Sequence, residues 1–116
     1  MFKAIGLLKR KSGISRQDFI SYYENQHAPL VLRLMPEVLD YRRNFLPQEE
    51  SDLLGYDSLT EFWFADRAAY EAGLARFEDP HVFAELAADE ENFLDRSRTR
   101  MFPVDERCSK TLLNDC

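Results

Sequence analysis

The stretch Ser15–Leu32, SRQDFISYYENQHAPLVL, decides how the rest of this chain is read. Ser15 followed by Asp18 resembles a capping box, with Asp where Glu or Gln is usual, and predicts a helix start. Phe19, Ile20, Tyr22, Tyr23 and His27 then recur at helical spacing and form one broad face suited to lie on a sheet. Pro29 lacks a donor and disfavours helical geometry at Ala28, so the helix is expected to end or kink between Gln26 and Pro29. Leu30–Leu34 resume as a second helical piece ending before Pro36. His27, one of two histidines, falls at this interruption, with Tyr22 and Tyr23 about one turn behind it. The three together read as the floor of a small-molecule site.

Working outward, Phe2–Lys9 (FKAIGLLK) is a compact apolar run that suits a buried first strand. Gly6 within it either admits something close to the backbone or relieves crowding under a helix. Val38–Phe45 predicts a second strand, with Tyr41, Arg43 and Phe45 on one face and Asp40, Arg42 and Asn44 on the other. The polar segment Leu46–Asp57 reads as a loop at a pocket rim. Ser58–Phe64 is the most β-like segment, with bulky groups on both faces: Leu59 and Trp63 on one, Phe62 and Phe64 on the other. Asp66 caps a helix reaching Arg76, Pro80 opens another that runs to about Leu94, and Arg98–Val104 makes a last strand.

This order is the β-α-β-β-α-β pattern of an α+β, ferredoxin-like fold: a four-stranded antiparallel sheet with helices on one face. Residues 1–104 would form the domain and 105–116 a polar tail. Strands one and three carry apolar side chains in both directions, so the open face is expected to pair with a second copy in a homodimer.

The whole chain narrows the function classes. At 116 residues it fits one domain. Apolar residues make up 45% and charged residues 31%, which is globular rather than disordered composition. The net charge is −6 and the 15 basic residues are scattered, so no stripe exists to follow a phosphate backbone and no nucleic-acid partner is expected. No apolar run approaches a membrane span, and the N-terminal basic residues follow the apolar run rather than precede it, the reverse of a secretory signal. A cytoplasmic protein with Cys108 and Cys116 as free tail thiols is the expectation, a small tail disulfide the alternative.

No metal-ligand spacing joins His27 to His81, and no glycine-rich phosphate loop or nucleophile elbow is present. Neither metal nor cofactor is therefore expected. Acid–base work in an aromatic-lined cavity remains, because an imidazole in a dry pocket beside a phenol or carboxylate can move protons near neutral pH. His27 has candidate helpers in Tyr22, Tyr23, Asp40 and Glu61. Glu61 is the only charge in an apolar β segment, where an unpaired carboxylate would be costly. The structural alternatives are that His27 caps the broken helix and that Glu61 pairs with Arg43 or Arg100. Trp63, Phe62, Phe64, Tyr41 and Phe93 serve either as core or as ligand wall. The run Asp89-Glu90-Glu91 reads as a solvated helix face.

The pattern LLKRK-x-G-x-S-x-x-x-F-x-x-Y-x-x-x-x-H-A-P-L, followed by DYRRN, SLTEFWF and DEENFLD, resembles the EthD family of the dimeric α+β barrel superfamily over roughly residues 2–104. The resemblance implies a ferredoxin-like protomer, an obligate dimer and a pocket between sheet and helices. Proteins on that fold include lyases, lactone isomerases, cofactor-free oxygenases, haem-degrading enzymes and accessory proteins of catabolic clusters. The His27-Ala28-Pro29 element matches the family pattern and favours a site at His27. Tyr22-Tyr23 stands where relatives often carry Tyr-Trp. The leading expectation is a cofactor-independent lyase, of dehydratase or decarboxylase type, on a hydrophobic or aromatic intermediate. His27 would be the acid or base, with Tyr23 and Glu61 orienting it or the substrate. Tyr22, Tyr41, Trp63 and Phe93 would line the pocket, and Arg43 or Arg100 would receive an anionic oxygen. The alternatives are a cofactor-free monooxygenase on a phenol, favoured by Trp63 and Tyr41, and a non-catalytic binding protein.

Overall fold

The computed structural model describes residues 1–116. Strand β1 (Phe2–Leu8) is central, pairing antiparallel with β3 (Ser58–Phe64) on one side and β4 (Arg100–Val104) on the other. Strand β2 (Asp40–Phe45) adds to the far side of β3, giving the order β2-β3-β1-β4. This is the ferredoxin-like α+β fold that the element order predicts.

Alternation along β1 and β3 sorts their side chains between two faces. Ala4, Leu8, Phe62 and Phe64 are buried under the helices, whereas Ile5, Leu7, Leu59 and Trp63 on the outer face are only half-buried. The helix side holds two apolar clusters. One joins Ala4, Phe62 and Phe64 to Val31, Met35 and Tyr70; the other joins Leu8 to Phe19, Tyr23, Ala28, Phe93 and Leu94.

Helix α1 (Arg16–Tyr22) starts as its sequence requires, with the Ser15 hydroxyl accepting from the Asp18 N–H at 3.0 Å. The expected interruption takes the form of a π turn: α1 stops at Tyr22, the chain widens over Tyr23–His27, and α2 (Ala28–Leu34) follows without a gap as the second helical piece. The Ala28 N–H donates to the Tyr23 carbonyl, five residues back. In a regular ladder the Pro29 ring would clash with the carbonyl four residues back and leave it without a donor; one wider turn removes that conflict.

The polar stretch expected to be a loop contains α3 (Gln48–Leu54), which stops at Gly55 in the left-handed conformation (φ 78°). It is no part of the cavity wall described below. Helix α4 (Arg67–Ala75) is capped by Asp66, as expected, and runs into a single 3-10 turn. Helix α5 (Pro80–Glu90) has Pro80 in its first turn and ends earlier than Leu94. Beyond β4 the tail closes on itself. A turn at Thr111–Asn114 brings the Cα atoms of Cys108 and Cys116 to 6.0 Å, within the range a disulfide spans, and the two sulfurs are bonded, not free as expected. No helix is long and apolar enough to cross a membrane.

Candidate active site

Where the two apolar clusters meet, a cavity of about 330 Å³ lies between the sheet and the helices, a volume in the range of small-molecule sites. Val31, Met35, Phe62, Phe77 and Leu86 make most of its wall, and Phe83 and Met101 stand at its exposed side. Gly6 borders it from β1. A Cβ there would lie 3.3 Å from Leu8 Cδ1 and 3.4 Å from Phe62 Cε2, so this position both avoids crowding and leaves room beside the cavity.

His27 enters this apolar space from the π turn. The ring is 4% exposed, edge-on to Tyr23 (centroids 5.1 Å apart) and tilted over Phe93 (4.8 Å). Its Nδ1 is 2.6 Å from Asp89 Oδ2 on α5. An ionised carboxylate only accepts, so Nδ1 carries the proton and Nε2 keeps the lone pair. Nε2 has no hydrogen-bond partner in the chain, and His27 lines the cavity. The other Asp89 oxygen accepts from the Tyr22 hydroxyl at 2.9 Å, and Asn92 donates to the same hydroxyl at 2.9 Å. The imidazole is thus fixed in tautomer and orientation by a carboxylate that is itself held.

Glu90, the next residue, also lines the cavity. Burial raises its carboxyl above the usual range, and the pull of Arg96, and of His27 when protonated, offsets only part of this. The structure thereby corrects the expectation that Asp89 and Glu90 lie on a solvated face. The signal that points to them in the sequence is their spacing with Leu86 and Phe93, at i, i+3, i+4 and i+7, which puts both carboxylates on the half-buried face of α5 that leads to Phe93.

The structure separates the other candidates. Tyr23 lines the cavity and is fully buried, but its hydroxyl is engaged with Thr60 Oγ1 at 2.7 Å and accepts from Tyr41 at 3.2 Å. It supports His27 through its ring and not through its hydroxyl, and burial pushes that phenol up to about 12. Tyr22 reaches the site through Asp89, and Phe93 is core beneath the imidazole. Tyr41 stacks on Phe62 at 4.7 Å, and burial raises its phenol well above the ordinary value. Arg43 stands over the Tyr41 ring and makes a two-pronged pair with Glu24, 2.9 Å on each prong. It is therefore already satisfied away from the cavity.

Glu61 and Trp63 are not brought to His27. Alternation along β3 puts them on the outer face while Thr60 and Phe62 point inward. Glu61 accepts from Lys3 at 2.8 Å and from Asn44 at 3.0 Å, so neither Arg43 nor Arg100 is its partner. Trp63 lies under Lys3 and Arg42. Asp40 is engaged by Arg42 on that same face. Arg100 borders the cavity at the start of β4, opposite Leu7 in register, and is exposed.

Comparison with known proteins bears on the family and the fold. Residues 11–97 match the EthD domain family model. The chain is 30% identical to the dehydratase ustZ of Ustilaginoidea virens, over 79% of this chain and 74% of that protein. Among solved structures, an EthD family protein of Bacillus halodurans superposes with a TM-score of 0.65 at 19% identity, covering 92% of this chain and 100% of the other. SnoaB, a cofactor-independent oxygenase of Streptomyces nogalater, superposes with a TM-score of 0.57 at 14% identity, covering 97% of each chain. The family model spans most of the chain, including the π turn that carries His27 and the helix that carries Asp89, and on that ground the chain belongs to the EthD family.

Proposed function

We propose that this protein is a cofactor-independent lyase of dehydratase type, acting on a small hydrophobic or aromatic molecule bound in the cavity above His27. The observation that carries the reading is the buried imidazole whose Nδ1 is held by Asp89 and whose Nε2 is unpartnered at an apolar cavity. Such a nitrogen can take a proton from carbon next to a substrate carbonyl, and the predominantly apolar wall favours a hydrophobic ring system over a flexible polar chain. Likeness to a protein named as a dehydratase supports water loss over other eliminations.

The oxygenase alternative rests on Trp63 and Tyr41 beside a bound phenol. Trp63 is on the outer face, and Tyr41 stacks on Phe62 and donates its hydroxyl proton to Tyr23, so this chain offers less support for it. The assembly we propose is a homodimer through that outer face, where Ile5, Leu7, Leu59 and Trp63 are half-buried in the single chain.

The test is a panel of hydroxylated bicyclic aryl ketones whose dehydration lengthens conjugation, followed by absorbance and mass spectrometry. Loss of one water is expected, with no oxygen consumed, and with at least a roughly 100-fold drop in rate for His27→Ala. Full turnover by His27→Ala would overturn the assignment. Calorimetric binding without product across the panel would instead make this a binding protein.

A further inference from the structure

We propose that Glu90 is the second proton-transfer group of the cavity, a carboxylic acid that protonates the departing hydroxyl while His27 takes the carbon-bound proton. The inference rests on the dehydratase reading above and assigns the half of that reaction His27 cannot perform. A base that is accepting one proton has none to give to the leaving oxygen in the same step.

The geometry is specific to this residue. Asp89 and Glu90 are adjacent in the last turn of α5 but face different partners, since Asp89 holds Nδ1 of His27 whereas Glu90 lines the cavity itself. The Glu90 side chain is 16% exposed. Its Oε1 accepts from Arg96 Nε at 3.2 Å, while Oε2 has no hydrogen-bond partner in the chain. In a neutral carboxyl, an oxygen that accepts from Arg96 is the carbonyl-like one, which leaves the other to carry the proton. The groups facing this carboxyl are His27 from the π turn, Arg96 from the turn at 96–98 and Asp89 on its own helix, while Arg100 of β4 borders the same cavity from a position opposite Leu7.

The step balances. The C–H bond breaks as Nε2 of His27 takes the proton, and that electron pair becomes the new C=C bond. The C–O bond breaks, its pair stays on oxygen, and the Glu90 proton converts the departing hydroxyl to water. His27 ends as imidazolium and Glu90 as carboxylate, so the net charge of the apolar cavity does not change. Two isolated charges there would be costly; formed together, each compensates the other. Transfer of a proton from imidazolium back to carboxylate, directly or through water, restores both.

The experiment compares wild type with Glu90→Gln and Glu91→Gln on the hydroxy ketone panel. In parallel, the Glu90 side-chain carboxyl carbon is followed by NMR during titration with α-tetralone, a bicyclic aryl ketone with no hydroxyl to lose. Glu90→Gln is expected to lower kcat about 100-fold with KM within about twofold, and to remove the loss of rate on the alkaline side of the profile. Glu91→Gln, which alters an exposed carboxylate, should leave the rate within about twofold. If the wild type dehydrates the panel and Glu90→Gln keeps its rate within about threefold, the role of Glu90 is overturned while the dehydratase reading stands. If the wild type dehydrates nothing, that reading fails separately. A Glu90 signal that moves on α-tetralone binding then still supports Glu90 as the ligand-facing donor, and one that does not move overturns it.

Discussion

Nδ1 of His27 and Oδ2 of Asp89 are 2.6 Å apart although 62 residues separate them in sequence. This contact ties the π turn to α5 and sets which imidazole nitrogen is free. Asp89→Asn removes the charge but keeps the shape. It is expected to lower turnover roughly 10- to 100-fold with little change in KM, as loss of an orienting partner does. Nitrogen-15 NMR of His27 should report a single Nδ1–H tautomer in wild type and a mixture in Asp89→Asn. An unchanged tautomer together with unchanged rate would remove the positioning role.

Alkaline stability should report on Tyr23. Its phenol is raised from 10.0 to about 12 by burial, so between those values the folded chain keeps a proton that the unfolded chain has released. The folded state binds more protons there, and stability therefore falls as pH rises from about 10. The full effect is on the order of 2–3 kcal/mol from Tyr23 alone, and Tyr41 shifts the same way. Thermal unfolding from about pH 9 to about pH 11 should show the decline, and Tyr23→Phe should flatten it, at about 1 kcal/mol for the lost bond to Thr60.

Two carboxylates should act with opposite sign in acid. Arg43 holds Glu24 below its ordinary value of 4.5, so the pair stabilises the fold above that pH and the contribution is lost as pH falls through the lower folded value. Glu90 is raised above 4.5 by burial, so the folded state binds its proton more tightly and stability increases as pH falls through the raised value. Glu24→Gln should therefore flatten the acid-side loss of melting temperature. Glu90→Gln should raise the melting temperature near neutral pH, the opposite of its expected effect on rate.

Trp63→Glu places a charge at the middle of the half-buried outer face without touching the cavity. Sedimentation velocity is expected to show a dimer for the wild type and a monomer for the variant. A monomeric wild type at micromolar concentration would remove the proposed interface.

Much of the architecture is legible in the sequence because it follows from short-range rules. The capping pair Ser15 and Asp18, the alternation of Ser58–Phe64 and the Asp66 cap each act within a few residues and are found where expected. The sequence misleads where local signals compete. Pro29 reads as an end or kink between two helical pieces, but the sequence does not show that one widened turn bridges them; packing of Tyr23, Ala28 and Val31 against the sheet favours helix on both sides of it. Helix α3 reads as a loop because seven residues rich in acid carry no apolar stripe, although the glycine at its end is visible.

The sequence by itself determined the fold class and the family and singled out His27 as the candidate for proton transfer, since composition, period and the His27-Ala28-Pro29 element are all written locally. Only the tertiary structure decided what His27 works with. Glu61 is the notable lone acid in its strand, yet strand alternation sends it to Lys3 on the far face. Asp89 and Glu90 read in the sequence as surface residues, yet the approach of α5 to the π turn makes Asp89 the partner of the imidazole and puts Glu90 on the cavity wall. A hydrogen bond depends on ångström distances in space, and those distances arise only after two helices 62 residues apart are laid on the same sheet.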